Sequence, residues 1–237
     1  MNPGAPCGVA SCPVTPPSAI LIRRLRTHTL TSEEIWWRGA SLGRPATDLV
    51  PGLGDSRFAP LPEVDHMYLG ATRPVALLES ALHETTGPVP TIYRATLAAL
   101  GLTPMRPTQP LRLADLRDSP LARLGIQRRQ LVATGPAHYA CTRVWASRLQ
   151  AATIAGDRVD GAIWHSRQAE LHADGNPDGL AHDLLRAAPV EVVVVWSPHA
   201  PSPPVTAAGP TEELLSAEGA PARIVLELSA LIGAPIE

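Results

Sequence analysis

Apolar and polar positions along the chain sort into short hydrophobic runs separated by loops rich in Gly, Pro and Asp. Ile35-Trp36-Trp37 reads as a strand, since aromatic and β-branched residues suit a pleated, half-buried surface, and it delivers Arg38. His66 to Leu69 reads as a second strand, stopped at Gly70. Thr72-Arg73-Pro74 then opens a helix: the threonine hydroxyl can accept from a free first-turn N–H, and a proline there forfeits no hydrogen bond. The apolar stripe of that helix is Val75, Leu78 and Leu82, with Glu79 beside Leu78 on the same side. Thr91 to Leu97 and Leu111 to Leu116 are candidate strands, the second carrying Asp115 near its end. Pro136 to Ala151 places Tyr139, Val144, Trp145 and Leu149 at roughly helical spacing. Gly161 to Ser166 is a short strand, and the continuous apolar run Glu191 to Trp196 is expected at the centre of a sheet, buried on both faces. Ala222 to Ile232 closes the chain as either a strand or a helix.

Strands and helices mix without the regular alternation of a doubly wound sheet, so the expected class is α+β. Ala19 to Thr31 leads into the domain, Gly39 to Pro62 and Pro198 to Pro210 read as loops, and no repeat or composition break divides residues 19–237. Met1 to Ser18 is rich in Pro, Gly and small residues without apolar period, and a disordered tail is expected there.

Composition narrows the chemistry. At 237 residues the chain can build a substantial core without staples. A net charge of −2 offers no footprint for nucleic acid. The sequence contains no lysine, which excludes a lysine nucleophile or Schiff base. Cys7, Cys12 and Cys141 lack zinc-like spacing, and the first two sit in the tail with no histidine nearby, so reduced thiols and no metal site are expected. No secretory signal or membrane-length apolar run appears, which suits a cytoplasmic protein.

Three polar residues stand at equal steps in apolar surroundings: Arg57 in Ser56-Arg57-Phe58, Tyr68 in Met67-Tyr68-Leu69, and Glu79 in Leu77-Leu78-Glu79-Ser80. Arginine suits a pyrophosphate, because its planar fork donates paired hydrogen bonds and keeps its charge when desolvated. Arg38, after two tryptophans, is either a second such group or a rim arginine packed on the indoles, and Arg57 is either a ligand or a surface loop residue. Gly52-x-Gly54 is a weak phosphate-loop signal, lacking the flanking strand and helix. Glu79 beside two leucines is costly to bury unless paired or functional; the alternative is a helix-edge glutamate reaching solvent or pairing with Arg73 or His83. His165-Ser166 lacks a Gly-x-Ser-x-Gly elbow, and adjacent strand residues face opposite ways, which argues against a serine hydrolase.

In this order, Trp37-Arg38, Ser56-Arg57-Phe58, Met67-Tyr68-Leu69-Gly70, Ala76-Leu77-Leu78-Glu79 and Asp160-Gly161-Ala162-Ile163-Trp164-His165-Ser166-Arg167 resemble the RES family, from about Ile35 onward. Gly39 departs from the tyrosine that many members carry after the first arginine, and the stretch from Glu79 to Ser166 is longer than in compact members, suggesting an insertion around Thr103 to Gly135. The resemblance implies a fold like that of ADP-ribosyltransferases and consumption of NAD as substrate, with no further cofactor. It also implies a toxin neutralised by an antitoxin partner; a homo-oligomer is left open. Nicotinamide leaves NAD as a neutral molecule, so no general acid is needed, and one carboxylate can stabilise the oxocarbenium-like transition state. That role falls to Glu79. Arg38 and Arg57 would hold pyrophosphate or an acceptor phosphate, Tyr68 would orient the nicotinamide, and Ser166 would bond the ligand or Glu79. Inorganic phosphate or water would be the acceptor, a protein acceptor would make the enzyme a mono-ADP-ribosyltransferase, and a non-catalytic binding module is the remaining reading.

Overall fold

The computed structural model describes residues 5–50, 55–82, 91–173, 180–187, 189–197, 202–216 and 219–237. Gly52-x-Gly54 and His83 lie outside the described residues. The chain enters through a short helix α1 (Ala19–Arg24), capped by Ser18, and an edge strand β1 (Thr27–Leu30). Strands β2 (Trp36–Ser41) and β3 (His66–Gly70) fall where the apolar runs place them. Helix α2 (Arg73–Leu78) starts as expected, the Val75 N–H donating to Thr72 Oγ1 at 3.4 Å and Pro74 sitting in the first turn. Thr91 to Leu97 is corrected: helix α3 (Arg94–Ala98) replaces most of the expected strand, because only Leu97 of that helix needs burial and the preceding Ile92 makes a single bridge to Ile236.

Strands β4 (Leu100–Pro107) and β5 (Leu111–Asp115) and helix α4 (Asp118–Ala122) follow. A single 3₁₀ turn (Pro136–His138) leads into helix α5 (Tyr139–Ala151), after which β6 (Thr153–Ile154) and β7 (Asp157–Arg158) form a small hairpin. Strand β8 (Gly161–His165) runs into helix α6 (Arg167–Ala173), and helix α7 (Leu180–Ala187) precedes strand β9 (Glu191–Trp196). Strands β10 (Val205–Ala207) and β11 (Glu212–Glu213) both pair with β4, the first inside the stretch expected as loop; helix α8 (Ala220–Ile232) decides the open reading of the C-terminal segment.

Nine strands make one sheet in the order β1-β5-β8-β9-β3-β2-β4-β10, with β11 also on β4. All pairs are antiparallel except β5 with β8. The mixture of sheet and flanking helices is α+β. Strand β9 lies between β8 and β3, and Val192 to Val195 are fully buried, as a two-sided central strand requires. Its side chains alternate: Val192 and Val194 join the larger core with Trp145, Trp164 and the α2 leucines, whereas Val193 and Val195 meet Trp36, Met67 and Leu69 on the other face. The stretch Thr103 to Gly135, read from the sequence as an insertion, is integral to this sheet, since it holds much of β4 and all of β5.

The tail expectation is corrected for residues 5–18. Val14 is 4% exposed and Cys12 9%, both part of the larger core. The Thr15 N–H donates to Gln130 O at 3.0 Å, and the Trp145 indole N–H donates to Thr15 O. Two buried apolar side chains and two hydrogen bonds help to dock a segment whose composition suggests freedom. Among the described residues, no helix is long and apolar enough to cross a membrane.

Candidate active site

Close packing of α2 on β3 sets the position of Glu79. A Cβ at Gly70 would lie 2.5 Å from Ala76 N, so only glycine lets the helix approach this far. All residues from Pro74 to Leu78 are buried. Arg73 anchors the outer end: its guanidinium lies 3.8 Å over the Trp37 ring and pairs with Glu212. Arg73 is thereby committed, which removes it as the expected alternative partner of Glu79. Glu79 terminates the helix, its N–H bonded to Val75 O at 3.0 Å.

Ser166 meets Glu79 from across the sheet. It is fully buried, donates from Oγ to Glu79 Oε1 at 2.6 Å, and accepts from the Ala169 N–H at 3.0 Å. One hydroxyl therefore caps α6 and aims the carboxylate. A hydrogen bond to a charged acceptor of this kind contributes about 1.5–3 kcal/mol.

Arg57 and Tyr68 complete the cluster. Arg57 Nη1 donates to Thr134 Oγ1 at 2.7 Å and to Thr134 O at 2.9 Å, and the guanidinium sits 5.3 Å from the Tyr139 ring centroid. All its described hydrogen bonds leave through Nη1, so the far edge of the fork is uncommitted to protein. Burial lowers the Arg57 pKa, opposed by the charges of Tyr139 and Glu79. The Tyr68 hydroxyl lies 2.9 Å from Ser56 Oγ and accepts from the Phe58 N–H at 3.2 Å; burial pushes its pKa up to about 12, so it stays protonated at neutral pH. Its ring meets Trp164 edge to face at 5.9 Å.

Glu79, Arg57 and Tyr68 border one cavity of about 160 Å³, together with Trp164, Thr134, Tyr139 and Arg167, and Ser166 reaches it only through its bond to Glu79. A wider groove of about 530 Å³ between α1 and the end of α5 carries Arg23 and Arg148 but no lining carboxylate.

Arg38 is not brought to the cavity, and its expected place there is corrected. Trp37 packs on the larger core and Trp36 on the smaller, so alternation along β2 sends Arg38 to the Trp36 face, away from Tyr68 and Glu79. There it is 5% exposed and donates to Ala46 O, and burial lowers its pKa to about 10. The cationic partner that sequence reasoning missed is Arg167, directly after Ser166 at the start of α6. Among the described residues it makes no salt bridge, and its charge bears on both Arg57 and Tyr139. Gly39 also has a structural account: a Cβ there would meet Ser80 Oγ at 2.1 Å and Ser80 Cβ at 2.8 Å. Ser80 fills the space that a larger residue at 39 would claim, while the cluster remains assembled beside it.

A second polar cluster lies behind α5. The expectation that Cys7 and Cys12 lack a histidine is corrected, because the fold brings His138 Nδ1 to 3.7 Å from Cys7 Sγ.

A carboxylate held by a buried serine shares a small cavity on an α+β sheet with two arginines. The RES domain model matches residues 35–202, more than half of the chain, and the chain belongs to the RES-domain family. Among solved structures, a chain of the M. tuberculosis MbcT–MbcA toxin–antitoxin complex aligns with a TM-score of 0.52 at 15% identity, covering 90% of this chain and 98% of that one. At that identity the likeness concerns the fold, and it agrees with the α+β architecture. No curated protein matches the chain significantly.

Proposed function

We propose that the protein consumes NAD at the Glu79 cavity, breaking the bond between nicotinamide and its ribose. The observation that carries this reading is the 2.6 Å bond from Ser166 to Glu79, which fixes the direction of a carboxylate in a pocket shared with Arg57 and Arg167. The C–N bond electrons depart with neutral nicotinamide, and Glu79 stabilises the positive charge left on the ribose. The nucleophile, phosphate or water, then bonds to the anomeric carbon; water gives up a proton in doing so.

A cavity of about 160 Å³ suits a single ring rather than a dinucleotide, so the nicotinamide end enters, with Tyr68 and Trp164 at its edges, and the phosphates stay towards Arg57 and Arg167. Phosphate recognition thus moves from Arg38 to Arg167. Ser166, fully buried and doubly bonded, acts as a positioning residue. The aligned toxin–antitoxin complex supports reading the chain as a toxin restrained by a cognate antitoxin protein.

The test is purified protein incubated with NAD, with nicotinamide followed by chromatography in the presence and absence of inorganic phosphate. Nicotinamide release accelerated by phosphate, with a phosphorylated ADP-ribose product, is expected. ADP-ribose alone would identify water as acceptor, and label transferred from NAD to protein would identify a mono-ADP-ribosyltransferase. A folded protein that releases no nicotinamide would leave the binding-module reading.

A further inference from the structure

All three cysteines of the chain, far apart in sequence, converge next to the start of α5. Gly8, at φ +69°, turns the backbone immediately after Cys7, and the Cys12 N–H donates to Val9 O at 3.0 Å to close a second turn. Both thiols thereby face one spot. From the other side, His138 ends the 3₁₀ turn and Cys141 follows in the first turn of α5. Cys7 Sγ lies 3.7 Å from His138 Nδ1, and Cys12 Sγ lies 3.7 Å from Cys141 Sγ. The ligand atoms of Cys7, Cys12 and His138 all fall within 4.8 Å of one another, and Cys141 flanks that trio through its contact with Cys12.

These separations decide between chemistries. A disulfide needs sulfurs about 2.05 Å apart, far closer than Cys12 and Cys141 stand. Two thiolates on one zinc at about 2.3 Å, set at the tetrahedral angle, stand about 3.8 Å apart, and a thiolate and an imidazole nitrogen about 3.5 Å. The observed pairs match the second pattern. Three soft sulfurs with one imidazole select zinc over hard cations such as magnesium or calcium.

We propose that Cys7, Cys12, His138 and Cys141 form a structural zinc site that ties the N-terminal segment to α5. With Cys141 drawn in from beside Cys12 as the fourth ligand to the Cys7–Cys12–His138 trio, the coordination sphere closes, so the metal has a structural rather than a catalytic role. Its local effect reaches the cavity through α5. Tyr139, between two of the ligands, lies under the Arg57 guanidinium, and Thr142 Oγ1 donates to the Arg57 carbonyl. The metal therefore holds the wall against which Arg57 rests. It also gives the Pro/Gly-rich segment a reason to stay docked that its few apolar residues do not supply alone.

Elemental analysis of the full chain, purified without chelators or an affinity histidine tract, tests the site directly. About one zinc per chain is expected, with thiols slow to react until the metal is removed. Cobalt-loaded protein should show the visible bands of a tetrahedral centre and a thiolate charge-transfer band. Zinc content should fall at least about tenfold in Cys12→Ser and in His138→Ala. Should either variant not fold, wild-type protein stripped by a chelator is the second measurement: its Tm should fall and be restored by zinc alone. Folded protein that takes up neither zinc nor cobalt, with three freely titrating thiols, would overturn the proposal. A Cys12–Cys141 disulfide found by mass spectrometry in freshly purified protein would overturn it as well.

Discussion

Arg57 and Arg38 are the same side chain in two surroundings. Each pays for lost hydration with hydrogen bonds to backbone carbonyls. Arg57 lies on the Trp164 side of the sheet, shares a cavity with Glu79, and among the described residues makes its hydrogen bonds through Nη1 alone. Arg38 lies on the Trp36 side and donates to Ala46 O, and its charge adds to burial in holding the His66 pKa at about 4. A buried arginine marks a ligand site when open volume and an opposite charge share its surroundings. Burial alone marks a structural charge.

The largest expected effect falls on the cavity side. Glu79→Gln keeps size and a hydrogen bond but removes the stabilising charge, and kcat for nicotinamide release should fall by about a hundredfold or more. Near-normal release from the folded variant would strip the cavity of its chemistry and erase the contrast between the two faces.

Lysine exchange at the two arginines sharpens the contrast. Arg57→Lys should lower kcat/KM for NAD by about tenfold, because lysine cannot make the bidentate phosphate contact. Arg38→Lys should leave KM within about twofold and lower Tm instead, since a lysine cannot reproduce the packing and hydrogen bonding of the buried guanidinium. Equal losses of affinity in both variants would return Arg38 to the ligand site.

The N-terminal segment lies on the Arg57 side, so its removal should affect that face alone. Deleting residues 1–15 takes away Val14, Cys12 and the acceptor of the Trp145 indole, and Tm should drop by about 5–10 °C. An unchanged melting curve would show that the segment contributes nothing to the domain.

The smallest effect belongs to His66. The unfolded chain takes up a proton near pH 6.5, whereas the folded imidazole resists until about 4. The stability linked to this group is fully present above pH 6.5 and declines as the pH falls towards about 4. Chemical denaturation at pH 7, 5.5 and 4 should show that decline, and His66→Gln should flatten it. A wild-type slope retained by the variant would assign the acid sensitivity elsewhere.

Much of this arrangement was legible from residues alone. Strands β2, β3, β8 and β9, the cap at Thr72 and the helix beginning near Tyr139 follow from period and turn chemistry. Arg57, Tyr68 and Glu79 share one cavity, and Ser166 joins them through its bond to Glu79. Strand β4 escaped because Pro104 and Pro107 argue against a strand, and the docked segment escaped because its buried residues follow no period. Arg38 was misplaced because alternation separates neighbours without revealing which face holds the ligand. Arg167, Thr134 and Tyr139 escaped for another reason: they enter the cavity from the first turns of helices and a loop, where spacing carries no signal.

Synthesis order gives the Ser166–Glu79 bond a further meaning. Glu79 and Arg57 leave the ribosome well before Ser166, and β9, which joins β3 to β8, is made later still. A growing chain that has only reached α5 carries its carboxylate without the hydroxyl that aims it. Formation of α6 and orientation of the carboxylate then arrive together, because the same serine starts the helix and holds the acid. The pairing of hydroxyl and carboxylate is thus completed as one late event in the chain's maturation.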